Sequence, residues 1–160
     1  MKAIHNPFAG MEGYNCFGCS PGNPSGLRLR FFEDEDEIVT FWEPEEQFEG
    51  WMNILHGGIQ ATLIDEIASW VVFVKTNTAG VTLRLNIRYR KPVKTGEGTI
   101  SLRAGLKGVK KNIAEIGVKL FDNSGQLCSE GLAEYYLLPE EKAREALKFP
   151  GRNAFTGSGD

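Results

Sequence analysis

Apolar residues at Ile59, Leu63, Ile67, Trp70, Val71 and Val74 recur at three- and four-residue intervals between Gly57 and Lys75, with no proline among them. That period puts one apolar stripe on a helix of about five turns. Beyond it the interval shortens to two. Val81, Leu83, Leu85, Ile87 and Tyr89 alternate with Thr82, Arg84, Asn86, Arg88 and Arg90, which predicts a long, half-buried strand. Thr99 to Leu106, Ile113 to Phe121 and Leu127 to Leu138 also read as strands, with turns at Gly108 and at Asp122-Asn123-Ser124-Gly125. Upstream, Leu27 to Phe32 and Ile38 to Trp42 read as two shorter strands around the acidic run Glu33 to Glu37. Pro44 ends the second, since proline lacks the N–H that a central ladder position needs. A loop continues to Leu55.

Two strands, one long helix and four strands have one simple solution for burying the helix's stripe. An antiparallel sheet of about six strands wraps around it, which is the α+β hotdog architecture. The chain then divides into an N-terminal extension, 1–26, rich in Gly, Pro and Asn; the hotdog domain, 27–138; and a C-terminal segment, 139–160. The last holds a short peripheral helix from Pro139 to Leu147 and a tail, Gly151 to Asp160, expected to be disordered.

A length of 160 residues with 41% hydrophobic content suits a single domain with its own core. The formal charge of −3 argues against a general nucleic-acid binder, which needs a net basic face to displace counterions from phosphate. MKAIHNPFAG has no signal-peptide core, and the apolar stretch Trp70 to Val74 falls short of the roughly 20 residues that span a bilayer. A soluble cytoplasmic protein without membrane attachment is expected, its three cysteines as thiols. Cys16-Phe17-Gly18-Cys19 is a lone CxxC without a second ligand pair, and His5 and Cys128 would complete a set only if the fold gathered them. No metal and no cofactor are expected.

The chemistry concentrates at the start of the long helix. Gly57-Gly58 lets the backbone approach a ligand closely, and helix-entry N–H groups with no intrahelical carbonyl suit an oxyanion. A tight loop-to-helix turn would use the same pair. Asp65 lies opposite the apolar stripe among Ala61, Ala68, Ser69 and Val72, so it faces either solvent or a cleft with room for substrate. Glu66, nearer the buried edge, reads as a structural or salt-bridging acid. Gly57 and Asp65 are separated along one helix by about 12 Å. One carbonyl cannot touch both, so a site using both must be shared across a two-fold interface, which predicts a dimer.

The run His56-Gly57-Gly58-Ile59-Gln60-Ala61-Thr62-Leu63-Ile64-Asp65 resembles the signature of phenylacetate-pathway (PaaI-type) hotdog acyl-CoA thioesterases. The likeness continues through Val81 to Tyr89 and Pro92 and covers about Leu27 to Leu138. It implies hydrolysis of acyl-CoA without a cofactor by paired hotdogs that assemble into tetramers. Asp65 would be general base or nucleophile, the Gly57 N–H would polarise the thioester carbonyl, and Gly58 would line the substrate. His56 would position the loop or the leaving thiolate, and Thr82 would orient water or the acid. Some relatives carry Asn where this chain has Gly50, and Asn53 is the possible substitute. Arg90, Lys91, Lys107, Lys110 and Lys111 are candidates for the phosphates of coenzyme A. Trp51, Trp70 and Phe73 fit an acyl pocket or core packing equally well. The resemblance gives the Cys-rich stretch a packing role. The rival function is a non-catalytic acyl-CoA binder or sensor; a hotdog hydratase is less favoured, lacking its usual His and acid arrangement here.

Overall fold

A 20-residue helix lies in the concave face of a seven-stranded antiparallel sheet, the hotdog arrangement the hydrophobic periods predict. The computed structural model describes residues 1–157. In chain order the elements are β1 (Lys2–Ala3), β2 (Phe31–Asp34), β3 (Glu37–Trp42), β4 (Glu49–Trp51), β5 (Ile54–Leu55), α1 (Gly57–Thr76) and β6 (Gly80–Tyr89). There follow β7 (Ile100–Lys110), β8 (Ile113–Phe121), β9 (Leu127–Leu137), α2 (Glu140–Leu147) and α3 (Asn153–Thr156). The sheet order is β1-β2-β3-β7-β8-β9-β6, while β4 and β5 form a separate small hairpin.

Burial of α1 extends beyond one stripe. Leu63, Ile67, Trp70, Val71 and Val74 are inaccessible, but so are Ile64, Ala68 and Val72 on the other side. A helix apolar on most faces needs cover on most faces. Its mean hydropathy of 1.3 over 18 residues would also suit a membrane span, yet β3 and β6 to β9 all pack against it. Gly131 on β9 allows this closeness: a Cβ there would stand 2.6 Å from Cγ2 of Ile64. Towards the β2 edge of the sheet, Trp70 stacks on Phe31 with ring centroids 4.4 Å apart. Phe73 meets Phe8, Phe149 and Phe155.

That aromatic cluster corrects the expectation for the tail. Residues 151–157 carry α3, and Phe155 is fully buried; residues 158–160 lie outside the described residues. One aromatic side chain in a polar segment gave no periodic signal, yet its burial contributes about 1.5–3 kcal/mol. The helix expected at 139–147 forms as α2, with Ala143 its buried residue.

Four local readings also change. β2 begins at Phe31, not Leu27, because Leu27 and Leu29 give their N–H groups to the carbonyls of Phe17 and Gly18. The chain before Leu55 contains the β4–β5 hairpin. Gly108 is not a turn: β7 runs through it to Lys110 with a register shift between Leu106 and Gly108, and Lys111 makes the turn at φ 56°. Finally, β6 is an edge strand paired only to β9 among the described residues, and in the single chain it is largely exposed rather than half-buried. Its pairing with β9 shifts register between Thr82 and Arg84, and along this free edge Val81 is 48%, Leu83 54% and Tyr89 50% exposed.

Candidate active site

Asp65 sits mid-helix where α1 crosses β6 and β9, and it is half-buried. Its Oδ1 accepts from Thr82 Oγ1 at 2.9 Å and from the Tyr135 hydroxyl at 2.6 Å. Tyr135 also reaches the Asp65 carbonyl at 2.8 Å. Both side-chain donors converge on one oxygen, and among the described residues Oδ2 has no hydrogen-bond partner. The carboxylate is therefore oriented with one oxygen committed and the other available. Burial, with the charge of Asp65 beside it, pushes the Tyr135 hydroxyl well above its ordinary range, so it stays a donor.

The helix entrance is built around His56. It occupies the N-cap, and its Nδ1 accepts the Gly58 N–H at 2.8 Å. The Gly58 donor is thus used internally, whereas the Gly57 N–H has no partner among the described residues. With Nδ1 an acceptor, the neutral ring carries its proton on Nε2, a donor left on an exposed side chain. Tyr89 holds the same turn by donating to the Gly57 carbonyl at 2.7 Å. Gly50 supports it from behind, where a Cβ would lie 3.0 Å from His56 Cδ2 and 3.1 Å from its Cα. Asn53 is the exposed turn residue of the β4–β5 hairpin, at φ 60°, and its carbonyl accepts from Thr95.

One strand connects the two ends of this helix segment: β6 supplies Thr82 to Asp65 and Tyr89 to Gly57. The basic candidates divide between opposite ends of the sheet. Arg90 and Lys91 follow β6, where their N–H groups bond the Cys128 carbonyl, and Arg90 is ion-paired to Glu130 at 2.6 Å. Lys107, Lys110 and Lys111 line a cleft at the β7–β8 turn with Glu115 and Glu134. None of these three lysines has an ion-pair partner among the described residues. Ile113 beside that turn pairs with Tyr136, and Tyr89 at the far end pairs with Ser129. Within one chain the two basic groups stay apart. Of the aromatic candidates, Trp70 and Phe73 pack in the aromatic cluster and Trp51 is 70% exposed on the hairpin.

Tyr135 and Tyr89 are the residues that pattern reading missed. Each lies in a strand whose alternation explains it as a packing residue, and only the crossing of α1 over the sheet shows where its hydroxyl goes. Glu66, which the sequence marks as a structural or salt-bridging acid, makes no ion pair among the described residues, and its partners are specific ones. Its Oε1 accepts from Trp70 Nε1 at 3.2 Å, and both oxygens lie 3.6 Å from Cys16 Sγ. Burial, with Cys16 beside it, pushes the Glu66 carboxyl up to about 7. Cys16, hydrogen-bonded by the Cys19 thiol and by backbone N–H groups, is drawn down to about 5, while Cys19 is pushed far up.

Residues 52–129 match the sequence profile of the Thioesterase superfamily. Mouse acyl-coenzyme A thioesterase 13 is 32% identical over 98 residues, covering 60% of this chain and 69% of that protein. A Thermoplasma acidophilum protein named as an esterase is 30% identical over 86 residues, 53% of this chain; the match spans 64% of its length, under two thirds. Among solved structures, zebrafish thioesterase superfamily member 2 superposes with a TM-score of 0.65 at 27% identity, covering 74% of this chain and 88% of that one. The matched stretch of the profile contains the helix entrance, Asp65 and Thr82 together. With more than two thirds of the mouse protein's length matched at that identity, the chain belongs to the thioesterase superfamily.

Proposed function

We propose that this chain hydrolyses acyl-coenzyme A thioesters to the free acid and coenzyme A, as a relative of the phenylacetate-pathway branch. The carrying observation is the one-sided bonding of Asp65: Thr82 and Tyr135 hold Oδ1, which leaves Oδ2 to take a proton from water. That water attacks the thioester carbonyl carbon, and the developing oxyanion takes the free Gly57 N–H at the positive end of α1. Collapse expels the coenzyme A thiolate, which receives the proton that Asp65 removed. His56, through Nε2–H, steadies the leaving sulfur. Direct attack by Asp65 would reach the same products through an anhydride. The name of the mouse relative supports coenzyme A as the carrier.

About 12 Å of helix separates Gly57 from Asp65, so the proposal requires two copies. The exposed apolar edge of β6 is the surface that suits them. With two β6 strands antiparallel about a two-fold between Leu85 and Asn86, Thr82 comes opposite Tyr89 of the partner subunit. Asp65 then faces Gly57 of the partner subunit. The same pairing moves Arg90 and Lys91 of the partner subunit toward Lys110 and Lys111, assembling one basic end for the coenzyme A phosphates. Two such dimers make the tetramer that the family resemblance implies.

The test is Asp65→Asn, which keeps the shape and removes the base. It should stay folded and lose at least about a hundredfold in kcat, read as thiol release from acyl-CoA. Normal activity in the folded variant would end the proposal. Tight acyl-CoA binding by the unsubstituted protein with no thiol release would favour the non-catalytic binder.

A further inference from the structure

The CxxC of the N-terminal segment finds its third partner fifty residues away on α1. Sγ of Cys16, Sγ of Cys19 and a carboxylate oxygen of Glu66 all lie within 4.8 Å of one another. We propose that Cys16, Cys19 and Glu66 bind a zinc ion, with a fourth position open to solvent from the adjoining cavity.

The spacing fits. Zinc bonds of about 2.3 Å to sulfur and about 2.0 Å to oxygen, at tetrahedral angles, put ligand sulfur and oxygen about 3.5 Å apart. Cys16 Sγ is 3.6 Å from each Glu66 oxygen. Two of the ligands are also held from outside, as metal ligands generally are. Trp70 Nε1 donates to Glu66 Oε1, and the Tyr14 hydroxyl lies 2.8 Å from Cys19 Sγ. Asn6 in turn reaches both the Tyr14 hydroxyl and the Cys19 carbonyl. The turn is shaped around the carboxylate: a Cβ on Gly18 would stand 2.4 Å from Glu66 Cδ and Oε2. No Lys, Arg or His pairs with Glu66 among the described residues, so two thiolates and a carboxylate would gather without a protein cation. A cavity of about 410 Å³, lined by Tyr14, Cys16, Cys19, Glu66 and Ser69, adjoins the cluster and gives a route for the ion and a water ligand. The thiol protons leave to solvent on binding.

The experiment is zinc titration of the full chain, kept reduced, against a chromophoric chelator, with cobalt(II) substitution in parallel. Expected are one zinc per chain and a cobalt spectrum with thiolate charge-transfer bands and tetrahedral intensity. Glu66→Gln, which keeps the Trp70 bond, should weaken affinity at least about tenfold, and Tyr14→Phe about 10- to 100-fold. Cys128→Ser, outside the cluster, should bind like the unsubstituted protein. The cobalt spectrum needs no variant, so the test survives if a cysteine substitution fails to fold. A reduced protein that takes up no zinc would overturn the assignment. So would a cobalt spectrum without thiolate bands, or isolation with Cys16 and Cys19 joined as a disulfide that zinc cannot enter.

Discussion

Replacing Tyr135 by phenylalanine removes the shorter of the two side-chain bonds to Asp65 and changes almost nothing else. Tyr135 is 2% exposed, so the ring stays fixed by its neighbours. Its single proton is shared between Oδ1 at 2.6 Å and the Asp65 carbonyl at 2.8 Å, and the charged oxygen holds it better. A hydrogen bond to a charged group contributes about 1.5–3 kcal/mol. Thr82 still reaches Oδ1, and half-buried Asp65 can recruit water, so the loss should fall near the lower limit. For a chain of this length that lowers Tm by about 3–6 °C. With only Thr82 to hold it, the carboxylate can rotate and Oδ2 loses its fixed aim, which should reduce kcat by about 10- to 100-fold. KM should stay within about twofold, since the buried hydroxyl faces Asp65 rather than substrate. Thiol-release kinetics and urea unfolding measure the two effects. A double-mutant cycle isolates the cause: with Asp65→Asn already present, adding Tyr135→Phe should cost almost no further activity. An equal loss of kcat in both backgrounds, or an unchanged kcat in the destabilised single variant, would refute the positioning role.

Three other outcomes follow from the same geometry. Phe155→Ala should destabilise the fold by about 3–5 kcal/mol in urea unfolding, as a core aromatic does, although it lies in a polar terminal stretch. Leu83→Lys on the exposed edge of β6 should leave the chain folded but shift it toward monomer by light scattering, with activity falling in proportion. Lys110→Glu with Lys111→Glu should raise KM for acyl-CoA about tenfold at low salt, while a pantetheine thioester, which lacks the nucleotide phosphates, is hydrolysed as before.

How much of this could be read from the chain depends on whether a feature repeats. α1 and the long strands β6, β8 and β9 announce themselves because one face of each recurs over many residues. β1, β4 and β5 span two or three residues, too few to establish any period, and they exist because neighbouring backbone is available to pair with them. Gly108 looked like a turn because glycine commonly marks one, but the same residue serves a bulge that lets β7 continue. At the site, Asp65 and the paired glycines were visible as a polar break in an apolar helix. Tyr135 and the meeting of Glu66 with Cys16 were not, because each joins residues at least fifty positions apart. Only the crossing of elements makes such a pair.

The aromatic cluster over α1 joins the two extremes of the described chain: the His5 N–H bonds the Phe155 carbonyl at 2.9 Å, and the Phe8 ring meets Phe155 at 5.7 Å. During synthesis this closure must wait until residue 155 has left the ribosome. Until then Trp70 and Phe73 lack part of their cover, even if the sheet has formed. Emerging chains are therefore open to mutual association through that helix face, and the docking of Phe155 is what ends the exposure.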